Sequence, residues 1–360
     1  MFKRSLVKPD GRRIHLYGRT SLPPAADVDG PRGAPASSHM RWHPLRGEWV
    51  VYAAHRQTRT FLPPPEYNPL LPSTDPRNPT EVPGSAWDVA AFDNLYPSLS
   101  AGAGLPPPQI VDTAAGTGAC EVVVFSRDPQ QSLGTLPLPQ IELIFEVWAD
   151  RTADLGGRDE IAYVFPFENR GVEVGVTLHH PHGQIYAYPF VPPIPARELA
   201  HQKRHYDSHG RNLALELLAA ELAADERILY RGPRAVALVP VCARYAYEVW
   251  VTPSVPCPSL LALDAETRAD LARALKTVLL KYDGLWNQRL PYVMACYQAP
   301  CDGEVHPEAQ LRIEFYPPYR MPGRLKYLAG TELGAGVFTA ETLPEQKAAE
   351  LRAVEVVLDE

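Results

Sequence analysis

The sequence predicts an α+β fold built from two halves of similar plan, and three observations carry that reading. Short runs dense in β-branched and aromatic residues, such as CEVVVFS (120–126) and YEVWVTP (247–253), are separated by Gly, Pro and polar turns, as antiparallel strands are. A few longer stretches carry apolar residues at helical spacing and end in glycine or polar turns. The order strands, helix, strands then runs twice along the chain, which segregates helices onto a largely antiparallel sheet. Identity between the halves is too low to make this a repeat on sequence alone.

The elements follow in chain order. Residues 1–38 are polar and rich in Gly and Pro, and read as a leader strand and linker. EWVVYAAHR (48–56) has a strand-like apolar core. LPQIELIFEVWADRTADLGG (138–157) has helical spacing and stops at Gly-Gly. IAYVFPFENRG reads as strand then turn, and VEVGVTLHHPHGQIYAYPFVP as strand, polar loop, strand. Residues 196–230 read as helical, interrupted near Gly210. AVALVPV and YEVWVTP are strands, 265–289 a long amphipathic helix, and PYVMACYQAP and QLRIEFYPP strands again. The last two hold the place in the second half that YVFPFENRG and VGVTLHHPHGQ hold in the first. The expected units are therefore a leader at 1–38, a half at 39–205 and a half at 206–360.

Composition excludes several classes of function. The chain has 360 residues, 45% of them hydrophobic, enough for a sizeable core. A net charge of -7 gives no electrostatic footprint for nucleic acid. No apolar run approaches the roughly 20 residues of a membrane helix, and the basic start lacks the apolar stretch of a secretory signal. Five scattered cysteines without a Cys-x-x-Cys pair read as reduced thiols in a cytoplasmic protein. The 39 prolines gather in segments such as FLPPPEYNPLLPSTDPRNP, where fixed φ stiffens connections between apolar runs.

The chemistry concentrates in TLHHPHGQIYAYPF (177–190), with three histidines in four residues. Pro181 pushes His180 toward extended backbone, and residues two apart in an extended run point the same way, so His180 and His182 are expected to share a pocket. Gly183 lets backbone approach a ligand closely, and the Gln184 amide can donate to a phosphate oxygen. A polar surface loop, a metal site and a nucleophile all remain open on these residues. A metal needs further ligands, and no second His or Cys pair has the spacing. An imidazole, by contrast, attacks phosphorus and leaves well.

HHPHGQIYAYPF resembles the active-site loop of the galactose-1-phosphate uridylyltransferases, of the histidine-triad group. RWHPLRGEWVVYAAHRQTR (41–59), FENRG (167–171), FYPP (315–318) and KYLAGTE (326–332) are similar to other blocks of that family in the same order, over roughly 39–352. The resemblance implies two histidine-triad-like halves and transfer of UMP from UDP-glucose to galactose-1-phosphate, a ping-pong reaction of galactose metabolism (the Leloir pathway). It implies His182 as the nucleophile that becomes uridylylated, Gln184 as its phosphate partner, and His180 as a further catalytic-loop residue. Asn169, Gly175 and Thr177, the last in place of the family's usual serine, match phosphate-loop positions. Arg56 and Arg59 look like phosphate-side arginines, which bind diphosphates in bidentate fashion. Phe92, Asn94 and Tyr96 resemble uracil and ribose contacts, with Leu70 and Val122 as apolar walls. Lys326 and Glu332 match positions that reach the phosphate and hexose from a partner subunit, so a homodimer with shared sites is implied.

The chain departs from the family at its metals. Relatives hold zinc with a Cys-x-x-Cys, a distant histidine and the first histidine of His-Pro-His. Here those positions fall on Asn68, Leu71, Pro129 and His180. A second metal site of one glutamate and three histidines falls on Glu198, Tyr297, Arg312 and Glu314. One imidazole cannot hold structural zinc, and Arg312 is positioned to pair with Glu198 or Glu314, so no metal cofactor is expected. Glu198, His201 and His205, at i, i+3 and i+7, read as a solvated helix face. A hexose-contacting glutamine of the family falls on Phe338, which leaves the sugar open. Three other functions stay open: a sugar-1-phosphate nucleotidyltransferase or ADP-sugar phosphorylase of different preference, a nucleotide hydrolase of the wider group, and an inactive binding protein. The hydrolases use a further histidine where Gln184 stands, and glutamine is no general acid.

Overall fold

The computed structural model describes residues 1–24, 30–33, 38–58, 67–75 and 77–358. Its centre is one antiparallel sheet of eleven strands: β1 (Phe2–Val7), β2 (Arg13–Gly18), β3 (Val89–Asp93), β4 (Ala119–Val124), β5 (Tyr163–Arg170), β6 (His182–Tyr188), β7 (Ile228–Arg231), β8 (Ala235–Leu238), β9 (Val249–Pro253), β10 (Tyr292–Tyr297) and β11 (Arg312–Tyr316). The spatial order is β1-β2-β3-β4-β6-β5-β10-β11-β9-β8-β7. The strand set β2 to β6 thus has the same neighbour pattern as β7 to β11, run in the opposite direction. The two sets meet where β5 pairs β10, Phe167 opposite Ala295 and Asn169 opposite Val293. The two-halves plan is therefore visible in topology, and it makes His182 and Arg312 counterparts: each opens the strand lying one in from the seam.

Two long helices cover one face of the sheet: α1 (Leu138–Gly156), between β4 and β5, and α4 (Ala265–Gly284), between β9 and β10. Helix α1 starts behind Pro137 with a proline in its first turn and closes where the Gly157 amide donates to the Ala153 carbonyl. Helix α4 is capped by Asp264, whose carboxylate accepts from the Thr267 amide at 2.7 Å. Ile141, Ile144, Phe145 and Trp148 of α1 and Leu271, Leu275, Val278 and Leu279 of α4 join Val123, Ile185, Val249, Val251, Ile313 and Phe315 of the sheet in one buried cluster. Alternation along a strand then sends the neighbours of those residues to the other, open face.

Three elements differ from the sequence reading. The leader contains a hairpin, β1–β2, that extends the main sheet beside β3. The strand expected at VEVG is a single 3₁₀ turn, Val172–Val174, because Gly171 and Gly175 flank it at φ 100° and 80° and stop any extended run. The helical stretch at 196–230 resolves into α2 (Pro193–His209) and α3 (Leu213–Ala224), parted at Gly210 in the left-handed region, while Ile228–Arg231 is strand β7. Asp225, left-handed at φ 52°, ends α3 three residues earlier. No helix among the described residues is long and apolar enough to cross a membrane.

Candidate active site

On the open face, beside the first half of the sheet, lies a cavity of about 580 Å³. Strand β6 forms its floor. Ile185 and Ala187 point into the core, so His182, Gln184 and Tyr186 stand in a row on the opposite side, and all three line the cavity. Phe167 and Asn169 line it from β5, Phe92 from β3 and Val122 from β4. Leu70 and Phe92 belong to a buried apolar cluster with Val82, Trp87 and Val124, against which Val122 packs, giving one greasy wall. Gly175, Thr177, Arg56, Asn94 and Tyr96 complete its lining.

Eleven residues singled out from sequence therefore border one cavity: Arg56, Leu70, Phe92, Asn94, Tyr96, Val122, Asn169, Gly175, Thr177, His182 and Gln184. Arg59 lies outside the described residues. Lys326 and Glu332 do not line the cavity of their own chain. They pair with each other at 3.1 Å, and the Lys326 ammonium, with further donors at Ala329 and Thr331, holds the Glu332 carboxyl well below the usual range. The cavity also takes Tyr67, Glu81, Phe167 and Tyr186, which the sequence did not single out. Strand alternation points to Tyr186 beside Gln184 and to Phe167 beside Asn169; Tyr67 and Glu81 arrive on irregular segments that leave no local signature.

Several of these groups are fixed by hydrogen bonds. The Arg56 guanidinium donates to the Tyr96 carbonyl and lies 3.5 Å from the Tyr186 hydroxyl. The Asn94 side-chain oxygen accepts from the Tyr96 amide at 2.8 Å, an Asx turn that sets this part of the lining. His182 Nδ1 lies 2.7 Å from the His180 carbonyl. Only a protonated Nδ1 can donate there, so Nε2 keeps its lone pair and is the nitrogen left for a ligand. Burial pulls the His182 pKa below the ordinary histidine range, which keeps the ring neutral and nucleophilic near pH 7.

His180 does not share the pocket. Strand alternation begins at His182 and does not extend back through Pro181. The ring of His180 is buried, with Nε2 2.7 Å from the Ser126 carbonyl and Nδ1 3.0 Å from the Asn68 side-chain nitrogen. Burial lowers its pKa to about 4.

Neither metal set of the family fits these residues. At the zinc position both nitrogens of His180 are already hydrogen-bonded, the Asn68 group facing the ring is an N–H donor, and Leu71 and Pro129 carry no ligand atom. At the second position the Arg312 guanidinium lies between two carboxylates, donating to Glu198 and, at 3.0 Å, to Glu314 Oε1. The Tyr316 hydroxyl donates to the other Glu314 oxygen at 2.6 Å. A cation is thus built into the chain. His205 pairs with Glu216, and His201 accepts from Arg204. Among the described residues no three His, Cys, Asp or Glu side chains converge on one point.

A neutral, backbone-oriented imidazole that shares one cavity with an amide, an arginine and an apolar wall is an arrangement able to support nucleophilic attack on a phosphorus centre. Comparison with known proteins gives the family. Residues 31–192 match the model of the galactose-1-phosphate uridyl transferase N-terminal domain, and 198–359 that of its C-terminal domain. A galactose-1-phosphate uridylyltransferase of Thermotoga maritima is 37% identical, covering 88% of this chain and 98% of its own. That of Streptomyces lividans is 34% identical over 89% of this chain and 88% of its own. A solved uridylyltransferase structure superposes with a TM-score of 0.79 at 32% identity, over 88% of this chain and 98% of that one. The chain belongs to the galactose-1-phosphate uridylyltransferase family. An ADP-glucose phosphorylase of Arabidopsis thaliana shares the fold, at TM-score 0.66 and 23% identity.

Proposed function

We propose that the chain transfers UMP from UDP-glucose to galactose-1-phosphate through a covalent uridylyl-histidine on His182. The observation that carries this is the orientation of His182, with Nδ1 held by a carbonyl and Nε2 left for the cavity. Nε2 attacks the α-phosphorus, an N–P bond forms, and the bond to the β-phosphate oxygen breaks, releasing glucose-1-phosphate. A phosphate oxygen of galactose-1-phosphate then attacks the same phosphorus, the N–P bond breaks, and UDP-galactose leaves with the imidazole restored. Neither step needs a proton at the bridging oxygen, since a sugar phosphate is already a good leaving group. That suits a site with glutamine rather than an acid beside the nucleophile. In this reading Gln184 and Arg56, which line the same cavity, hold the phosphate oxygens, and the Leu70, Phe92 and Val122 wall suits a base.

The same reading makes the enzyme a cytoplasmic homodimer. Lys326 and Glu332 stand on a segment with Tyr327 and Leu333 exposed at 77% and 63%, an apolar surface that suits contact with a second copy. In such a dimer the segment completes the partner's cavity.

The test is incubation with UDP-glucose labelled at the α-phosphate, with and without galactose-1-phosphate. Wild type is expected to take label into protein and pass it to galactose-1-phosphate, and His182→Gly to do neither. Sugar exchange by the variant refutes the nucleophile, prompt UMP release without acceptor makes the enzyme a hydrolase, and labelling only by an ADP-sugar makes it an adenylyl transferase. Mixed dimers of His182→Gly and Lys326→Ala chains recover activity only if sites are shared.

A further inference from the structure

Asn68 lies outside the cavity, and nothing in the reaction above uses it. Its side chain is nevertheless bound at both ends. Oδ1 accepts from the Leu70 amide at 3.0 Å, while the Asn68 carbonyl accepts from the Leu71 amide at 3.2 Å, so the turn Asn68–Leu71 is closed twice. Leu70, 2% exposed, anchors that turn in the apolar wall. With Oδ1 committed to a backbone N–H, the amide can present only its NH₂ to His180, and an NH₂ group only donates. His180 Nδ1, 3.0 Å away, must therefore accept, and the ring proton sits on Nε2, where it is donated to the Ser126 carbonyl at 2.7 Å.

This fixes one tautomer and one orientation for His180. The His180 carbonyl in turn holds His182 Nδ1 at 2.7 Å, and the adjoining Pro181 carbonyl accepts from the Phe125 amide at 3.1 Å. The chain of contacts runs from the Leu70 turn through Asn68 and His180 to the nucleophile, each link a single hydrogen bond. We propose that Asn68 is a positioning residue for His182, acting through its hydrogen bond to His180 at a place whose side chains do not fit zinc, so that uridylyl transfer by this chain is independent of zinc. The proposal rests on His182 being the uridylylated residue.

The experiment uses full-length protein with Asn68→Ala and Asn68→Ser. Serine can keep the turn by accepting from the Leu70 amide but is too short to reach His180. Three quantities are read: the dissociation constant of UDP-glucose, the single-turnover rate of labelling from α-phosphate-labelled UDP-glucose, and the ring ¹⁵N shifts of His180 and His182. Wild type dialysed against EDTA is expected to label at its full rate. Both variants are expected to bind UDP-glucose within about threefold of wild type but to label roughly 10- to 100-fold more slowly, the size of effect such supporting contacts have. In both, the Ser126 carbonyl keeps the proton on His180 Nε2, while the Nδ1 shift is expected to move as it loses its donor and the His182 ring shifts to move with it. A purely structural role would lower thermal stability and leave the labelling rate of folded protein and the ring shifts unchanged, and that result overturns the proposal. So does loss of labelling on EDTA treatment that added zinc restores. If wild type takes no label at all, uridylyl transfer has failed as the function, and the ring shifts of the variants still decide whether Asn68 sets the histidine pair.

Discussion

Replacing Arg312 by methionine removes the cation between Glu198 and Glu314 while keeping most of the buried stem. The guanidinium is buried among Trp250, Tyr297 and the two carboxylates, its centre 5.5 and 5.7 Å from the two rings. Taking one partner from a buried ion pair costs roughly 3–5 kcal/mol, because the remaining charge loses its compensation. Two features place the expected loss near the lower end, at about 3 kcal/mol. Glu314 keeps the Tyr316 hydroxyl and has Arg244 at 3.7 Å, and Glu198, 30% exposed at its side chain, can turn toward water. Burial already raises the Glu198 carboxyl pKa against the opposing Arg312 charge, and without Arg312 it rises further above its unfolded value of about 4. The native state then binds more protons than the unfolded chain, so the variant's deficit grows as pH rises and shrinks toward pH 5. The assay is urea unfolding of both proteins at pH 5.5 and 7.5, with midpoints compared at unchanged slope. A deficit below about 1 kcal/mol at pH 7.5, or an equal deficit at both pH values, refutes the view of Arg312 as a necessary internal cation. Adding Glu314→Gln to Arg312→Met is expected to recover much of the loss.

Three further outcomes follow from the geometry. Gly183→Ala places a Cβ 2.7 Å from Phe125 Cζ, held in the core, and 3.0 Å from the Phe167 carbonyl, held in strand β5, so a loss of roughly 1–3 kcal/mol and slower labelling of His182 are expected; an unchanged melting temperature refutes it. Burial raises Glu168 to about 7, although the Arg170 charge opposes the shift. Stability should therefore fall by about 3 kcal/mol as pH rises from about 4.5 to 7, at roughly 1.4 kcal/mol per pH unit, and then level off. Glu168→Gln, which keeps an acceptor for the Tyr292 hydroxyl, should flatten that slope in pH-dependent urea melts, and an unaltered slope refutes the assignment. Gln184→Ala should slow the single-turnover labelling of His182 by about 10²-fold, as loss of one charge-stabilising donor does; a wild-type rate removes Gln184 from the phosphate site.

Much of this was legible in the sequence because it depends on local pattern. The spacing of 138–157 and 265–289 gave α1 and α4 to within a few residues, since each carries one continuous apolar face. The β-branched runs gave β4 and β9. Eleven of the residues singled out from sequence line one cavity because they sit in motifs that strands and tight turns expose as units. The misreadings have equally local causes. At Val172–Val174 the alternating Val-Glu-Val mimicked a strand, and only the positive φ of Gly171 and Gly175 shows why it is a turn. At His180 the two-residue period was extended through Pro181 to a residue that lies before the strand.

The sequence by itself determined the α+β class, the two-half plan, and a His-Pro-His run with a glutamine two residues on, because periodicity, turn chemistry and motif are written in neighbouring residues. Only the tertiary structure decided that the two halves form one eleven-stranded sheet with the β5–β10 pair at its seam, since pairing between segments over a hundred residues apart is set by packing and not by local preference. It also decided that Asn68, 112 residues from His180 in the chain, fills both its hydrogen-bonding ends beside that ring, and that Arg312 meets Glu198 across 114 residues. Those contacts join groups that would be costly to bury alone, and their partners are chosen by how the chain folds back on itself.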